Sequence, residues 1–139
     1  MSRQGDFALH PIGVVRSSLG DRDSAPSQGG EGAPGAVIEL DPEFADGLDG
    51  IRAGDEVILV TWLHESRRDV LRLHPRWDPA RPLTGVFATR SPDRPNPLGL
   101  HRVVVLGVEG GRLEVKPLEA IDGTPVVDIK PVLASTVDA

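Results

Sequence analysis

Arg90, Arg94 and Asn96 stand within seven residues of one another, in a stretch that also holds Pro92, Pro95 and Pro97. Proline fixes its own φ and drives the preceding residue into extended backbone, so Arg94 and Asn96 are held in an ordered loop. A guanidinium grips carboxylates and phosphates through paired N–H donors, and an amide both donates and accepts. A loop that is already rigid loses little entropy when it binds, which is how ligand sites are built. The same residues also describe a stiff corner, with solvated arginines and an asparagine that caps local backbone. Residue types alone leave both readings standing.

A second stretch, Ile121-Asp122-Gly123-Thr124-Pro125, carries turn chemistry and leads into the apolar run Val126–Lys130. In isolation it reads as a hairpin turn rather than a site. His64 and Glu65 close another apolar run. Trp62 and Trp77 could stack on a base, but with five aromatic residues and no tyrosine in the chain, core filling is the expected use. Arg67, Arg68, Arg72, Arg76 and Arg81 either track phosphates or are a solvated face. His74 and His101 show no ligand spacing with acids, so no metal site is expected and His101 is assigned no role.

These residues need elements to hold them. Apolar residues recur with period two, or in short runs rich in Val, Ile and Leu, which predicts strands. The segments are Ala8–Arg16, Ala36–Leu40, Glu56–Leu63, Thr84–Thr89, His101–Val108, Arg112–Pro117 and Val126–Lys130. Glu109-Gly110-Gly111 joins two of them as a hairpin. Asp41 and Pro42 open a short helix that Gly47 or Gly50 ends. About seven strands with little helix predict a mainly β fold, a small and mostly antiparallel β-barrel, because closure removes the exposed edges. The whole of 1–139 reads as one domain. Gly20–Gly35 is a long loop with little to bury.

The net charge of −6 argues against general affinity for nucleic acid. Residues 61–105, however, carry eight arginines against four acids, together with three of the four histidines. Such a stretch can hold an anionic ligand at one place. Cysteine is absent, which excludes disulfides and thiolate chemistry. The start lacks a basic, then apolar, leader, and no apolar run approaches the roughly 20 residues of a membrane helix. A cytoplasmic protein away from the membrane is expected.

Three segments together resemble the TsaA/TrmO-like family: Ile12-Gly13-Val14-Val15-Arg16-Ser17, the stretch Gly85–Leu100 reading GVFATRSPDRPNPLGL, and Asp122–Pro131 reading DGTPVVDIKP. They stand in family order and bracket nearly the whole chain. The resemblance implies a dimeric β-barrel that binds S-adenosylmethionine (SAM) near the subunit boundary and methylates N6 of threonylcarbamoyladenosine at tRNA position 37. No G-x-G-x-x-G follows a predicted strand, in keeping with a methyltransferase outside the Rossmann class. By position, the resemblance implies cofactor contacts at Gln28, His64, Glu65, Arg90, Leu100, Ile121, Asp122 and Gly123. His64 is then the side chain best suited as a base, Arg94 or Arg16 would hold the acceptor's carboxylate, and Asn96 would read an adenine edge. Two departures bear on the acceptor. Ser27 and Glu65 stand where the family has arginine and glutamine, and the chain runs only a little past Pro131, where some members add a C-terminal domain. Both weaken the expectation of tRNA more than that of SAM and leave a small metabolite acceptor, or a non-catalytic SAM-binding or nucleotide-binding module, as alternatives.

Overall fold

The computed structural model describes residues 5–18 and 35–133. Six strands close a barrel: β1 (Gly13–Arg16), β2 (Ala36–Leu40), β3 (Glu56–Trp62), β6 (Leu98–Glu109), β7 (Arg112–Lys116) and β8 (Pro125–Pro131). Around the barrel the order is β1-β2-β7-β6-β3-β8, and β8 returns to β1 through Gly13 opposite Val126. Every barrel pairing is antiparallel. A separate two-stranded ribbon, β4 (Arg72–Leu73) with β5 (Thr84–Gly85), lies in the excursion between β3 and β6. The mainly β architecture is the one the period-two pattern predicts.

Alternation decides what faces inward. Along β6 buried and exposed residues alternate from Leu98 to Leu106, and β3 turns Val57, Leu59 and Thr61 inside. The core of Val15, Ile38, Leu59, Val103, Val105, Leu113, Val115 and Val126 is almost fully excluded from water. Burying a side chain of this size contributes roughly 1.5–3 kcal/mol. β2 has the predicted bounds, and the β6–β7 hairpin closes with Glu109 opposite Arg112.

Three expectations are corrected. β1 begins at Gly13 rather than Ala8, and Phe7 and Leu9 are exposed. The predicted strand Thr84–Thr89 keeps only Thr84–Gly85; Val86–Ala88 forms a 3-10 turn. Its cause is local: the carbonyl of Val86 accepts from the N–H of Thr89 at 3.0 Å and from its hydroxyl at 2.9 Å, which bends the chain away from any ladder. The element opened by Asp41 is a 3-10 helix, Pro42–Leu48, and the Asp41 side chain does not cap it.

Candidate functional site

A cleft of about 1530 Å³ opens where the barrel meets the 63–97 excursion. One wall is barrel: the ends of β3 and β6 and the segment 119–124. The other is the excursion, with the proline-braced loop and the turn around Trp77. Segments far apart in sequence thus face one space.

The loop is built by bonds to its own backbone and to the turn after β3. The Arg94 guanidinium donates to the carbonyls of Thr89 (3.0 Å), Ser91 (2.9 Å) and Val86 (2.9 Å). Buried Asp93 accepts from the N–H of Arg67 at 2.9 Å, and the N–H of Arg94 donates to the Arg67 carbonyl at 3.0 Å. Arg68 donates to the Pro95 carbonyl at 2.7 Å and to Oδ1 of Asn96 at 3.2 Å, and its guanidinium lies 5.1 Å from the centre of the Trp62 ring. Arg94 and Asn96 therefore line the cleft while bound into its frame. Exposed Arg90 is different: one Nη sits 3.4 Å from the Leu100 carbonyl, too long for a strong bond. Its guanidinium remains available to a ligand.

At the floor the barrel interior changes character. Inward positions are apolar through Leu59 and Val103, then become polar at Thr61 and His101. His101 Nδ1 lies 2.6 Å from Oε1 of Glu119, and Nε2 lies 2.7 Å from the Thr61 hydroxyl. A carboxylate only accepts, so Nδ1 carries a proton toward Glu119. Burial pushes the Glu119 carboxyl up, but the hydrogen bond and charge of His101, its own N–H and nearby Arg90 together bring it below the usual carboxylate value. Gly99 makes the contact possible. A Cβ there would stand 2.5 Å from the Thr61 hydroxyl and 2.7 Å from His101 Nε2.

The turn at Ile121–Thr124 is closed by the N–H and hydroxyl of Thr124, both donating to the Ile121 carbonyl. Gly123 has φ +86°, a conformation costly for any other residue. Buried Ile121 points to the cleft. Asp122 points elsewhere: it accepts from the N–H of Ser17 at 3.1 Å and stands 3.9 Å from Arg16. Arg16 donates to Glu39 at 2.8 Å, and together with Asp122 it lines a separate, shallower hollow.

Of the residues expected at a site, the cleft gathers His64, Glu65, Arg90, Arg94, Asn96, Leu100 and Ile121. His64 Nε2 is 3.8 Å from a Glu65 carboxylate oxygen. Arg16, Asp122 and Gly123 are not brought to it, and Gln28 lies outside the described residues. His101, Glu119 and Thr61 were not expected there. Their signal was present in the sequence, as a threonine and a histidine at inward positions of otherwise apolar strands. Trp77 was expected in the core, yet it is 71% exposed and lines the cleft. Among the described residues no group of His, Asp and Glu could hold a metal ion, and no helix is long and apolar enough to cross a membrane.

The chain is similar to known proteins over nearly its whole length. A probable S-adenosyl-L-methionine-binding protein of Methanothermobacter thermautotrophicus is 43% identical over 126 residues, covering 91% of this chain and 90% of that protein. An S-adenosyl-L-methionine-binding protein of Archaeoglobus fulgidus is 44% identical, covering 88% and 86%. The crystal structure of TrmO from Pseudomonas aeruginosa superposes with a TM-score of 0.76 at 31% identity, covering 99% of this chain. The chain spans about 62% of that protein's length. Residues 14–139 match the tRNA-methyltransferase O N-terminal domain, and with these barrel relatives the match establishes that the chain belongs to the TrmO-like family.

Proposed function

We propose that this protein is a SAM-dependent methyltransferase whose cleft holds the cofactor beside a methyl acceptor, most specifically the N6 nitrogen of threonylcarbamoyladenosine next to the tRNA anticodon. The observation that carries this reading is the meeting of two distant segments, 85–100 and 119–124, on one cleft. The side chains fit the cofactor's chemistry. Arg90 suits a carboxylate, Glu65 an ammonium or sulfonium, and Leu100 and Ile121 offer apolar surface for an adenine. When bound, SAM supplies an electrophilic methyl on sulfur.

The protein's part is positioning and proton management. An acceptor nitrogen between a carbonyl and an aromatic ring is a poor nucleophile until it loses its proton. His64, on the cleft beside Glu65, takes that proton. Asn96 reads the acceptor's edge with the part of its amide that Arg68 leaves open. The excess of arginine over acid around the cleft draws an anionic acceptor inward. Relatives named for SAM binding and the tRNA-methyltransferase O domain support this cofactor and acceptor. It acts in the cytoplasm, where both are found.

A second reading keeps SAM and replaces tRNA by a small metabolite. Glu65 in the cleft and the net charge of −6 favour it, since both repel phosphates. The deciding measurement is the nucleoside content of tRNA from cells with and without the gene. Loss of methylated threonylcarbamoyladenosine in the deletion strain is expected; unchanged content would remove this acceptor. For the cofactor, Arg90→Ala should weaken SAM binding at least about tenfold by calorimetry, the loss expected from a charged hydrogen bond of roughly 1.5–3 kcal/mol. Unaltered affinity would retire Arg90 from the site.

The protein acts as a homodimer. The outward face of β6 presents Leu98, Leu100, Val104 and Leu106, each more than a third exposed, and its first two residues also form the lip of the cleft. This apolar face, broken at its middle by Arg102, which donates to Glu56 at 2.7 Å, is suited to a second copy of the chain. Sedimentation at micromolar concentration should give twice the chain mass, and a monomer would contradict the assignment.

A further inference from the structure

We propose that Trp77 is the stacking platform for the planar ring of the methyl acceptor, on the cleft wall opposite the barrel. The inference rests on the reading that an acceptor enters this cleft, and it names the residue that receives the acceptor's ring. A tryptophan is normally sheltered, because its indole is the largest apolar surface a side chain offers. Trp77 leaves most of its surface open, and it does so inside the cleft.

Its backbone makes the exposure informative. Arg76 and Trp77 have φ of 55° and 58°, two consecutive non-glycine residues in the left-handed region. Either would be costly alone, and glycine would adopt both angles without strain. The conformation is held by specific bonds. The N–H of Trp77 donates to the His74 carbonyl at 3.0 Å, the N–H of Asp78 to that of Pro75 at 3.2 Å, and His74 Nδ1 to that of Arg81 at 2.7 Å. Surrounding structure that over-determines a strained residue is the mark of a functional position. Here the strain holds an indole in the cleft wall.

The chemistry beside the ring names the class of partner. Arg76 and Arg81 line the same cleft, Arg81 with its Nε 3.8 Å from an Asp78 carboxylate oxygen, so the space that holds the indole also holds guanidiniums. That combination suits a nucleotide, whose base stacks while its phosphate is met by cations. The position selects the acceptor over the cofactor. The cleft exceeds the roughly 300–1,000 Å³ of a single-ligand pocket, leaving room for two molecules. Transfer needs the incoming nitrogen in line with the methyl carbon and its leaving sulfur, so the two molecules lie side by side in the cleft. Leu100, Ile121, Arg90 and Glu65 serve the cofactor, which leaves Trp77, Arg76 and Arg81 of the same lining to the acceptor.

The test uses Trp62→Phe protein, in which Trp77 is the sole tryptophan, with SAM at saturation. It is titrated with adenosine 5′-monophosphate and with an anticodon stem-loop RNA while indole fluorescence is followed. Quenching by the nucleotide or the RNA is expected. Trp77→Gly, measured in otherwise unaltered protein, should weaken binding of the same probe about 10- to 100-fold. SAM affinity should hold and melting temperature should be unchanged or higher, while Trp77→Phe keeps most of the binding. Quenching by SAM alone, or equal probe affinity in Trp77→Gly, would overturn the proposal. So would methylation of tRNA that proceeds with KM unchanged in Trp77→Gly, an outcome that leaves the functional reading intact. Quenching by nucleotide without methyl transfer to tRNA would instead retire the tRNA acceptor and keep the platform.

Discussion

Replacing His101 by alanine should lower the unfolding free energy by about 3 kcal/mol, the lower end of the roughly 3–5 kcal/mol that leaving a buried charge without its partner costs. The lower end applies because the Glu119 side chain keeps 19% of its surface. Three losses coincide. Glu119 loses the donor 2.6 Å away, the Thr61 hydroxyl loses its partner at 2.7 Å, and an imidazole-sized void opens at the end of the barrel. At about 3–4 °C per kcal/mol for a chain of this length, melting should fall by about 10 °C. His101→Gln, which keeps a donor near Glu119, should recover part of that. The pair also sets an acid limb. Glu119 ionises more readily in the folded protein than its ordinary 4.5, so its stabilisation is fully present above that value. It is lost as the pH falls below 4.5 through the lowered folded value. Glu119→Gln should flatten that part of the stability profile and leave its neutral side less stable. An identical acid limb in Glu119→Gln would show that the pair does not govern it.

What could be read from the chain beforehand was set by how local each cause is. β2 and the β6–β7 hairpin were legible because alternation and a glycine turn act within a few residues. The start of the first apolar run was not, since Ala8–Pro11 pairs with no strand among the described residues and the barrel is joined only at Ile12, whose N–H donates to the Val126 carbonyl at 2.7 Å. Val86-Phe87-Ala88 has the composition of a buried strand, and yet Phe87 is exposed. The Val86 carbonyl is taken by Thr89 and Arg94, a competition that periodicity does not register. The cleft was legible in outline because two unusual motifs had to serve some purpose, and they do line one cleft. Trp77 and His101 were misplaced for opposite reasons. Trp77, weighed as a stacking residue, was assigned to the core because the chain has few aromatics to fill one, and the left-handed turn instead leaves it exposed. A histidine with no acid at ligand spacing met its acid, Glu119, across the barrel floor instead.

Arg94→Ala should reduce kcat/KM by about 100-fold, the loss that follows when a site is misplaced by about 1 Å, through a route different from the one its residue type suggests. An arginine beside an anionic acceptor invites a bidentate clamp, the role expected of Arg94 or Arg16 from their chemistry. In the structure its guanidinium is committed to three carbonyls, and those bonds tie Val86, Thr89 and Ser91 into one frame. Arg90 stands inside that frame, so its placement against Leu100 depends on a side chain four residues away. Lysine cannot substitute, because one ammonium lacks the planar fork that spans three acceptors. Arg94→Lys should therefore resemble Arg94→Ala in activity, in weakened SAM binding and in faster hydrogen exchange at Thr89 and Arg94. A clamp on the acceptor predicts another pattern. KM for the acceptor would rise alone, SAM affinity and exchange would stay as they were, and lysine would restore part of the rate. Exchange rates that do not move in Arg94→Ala while turnover falls would return Arg94 to the acceptor.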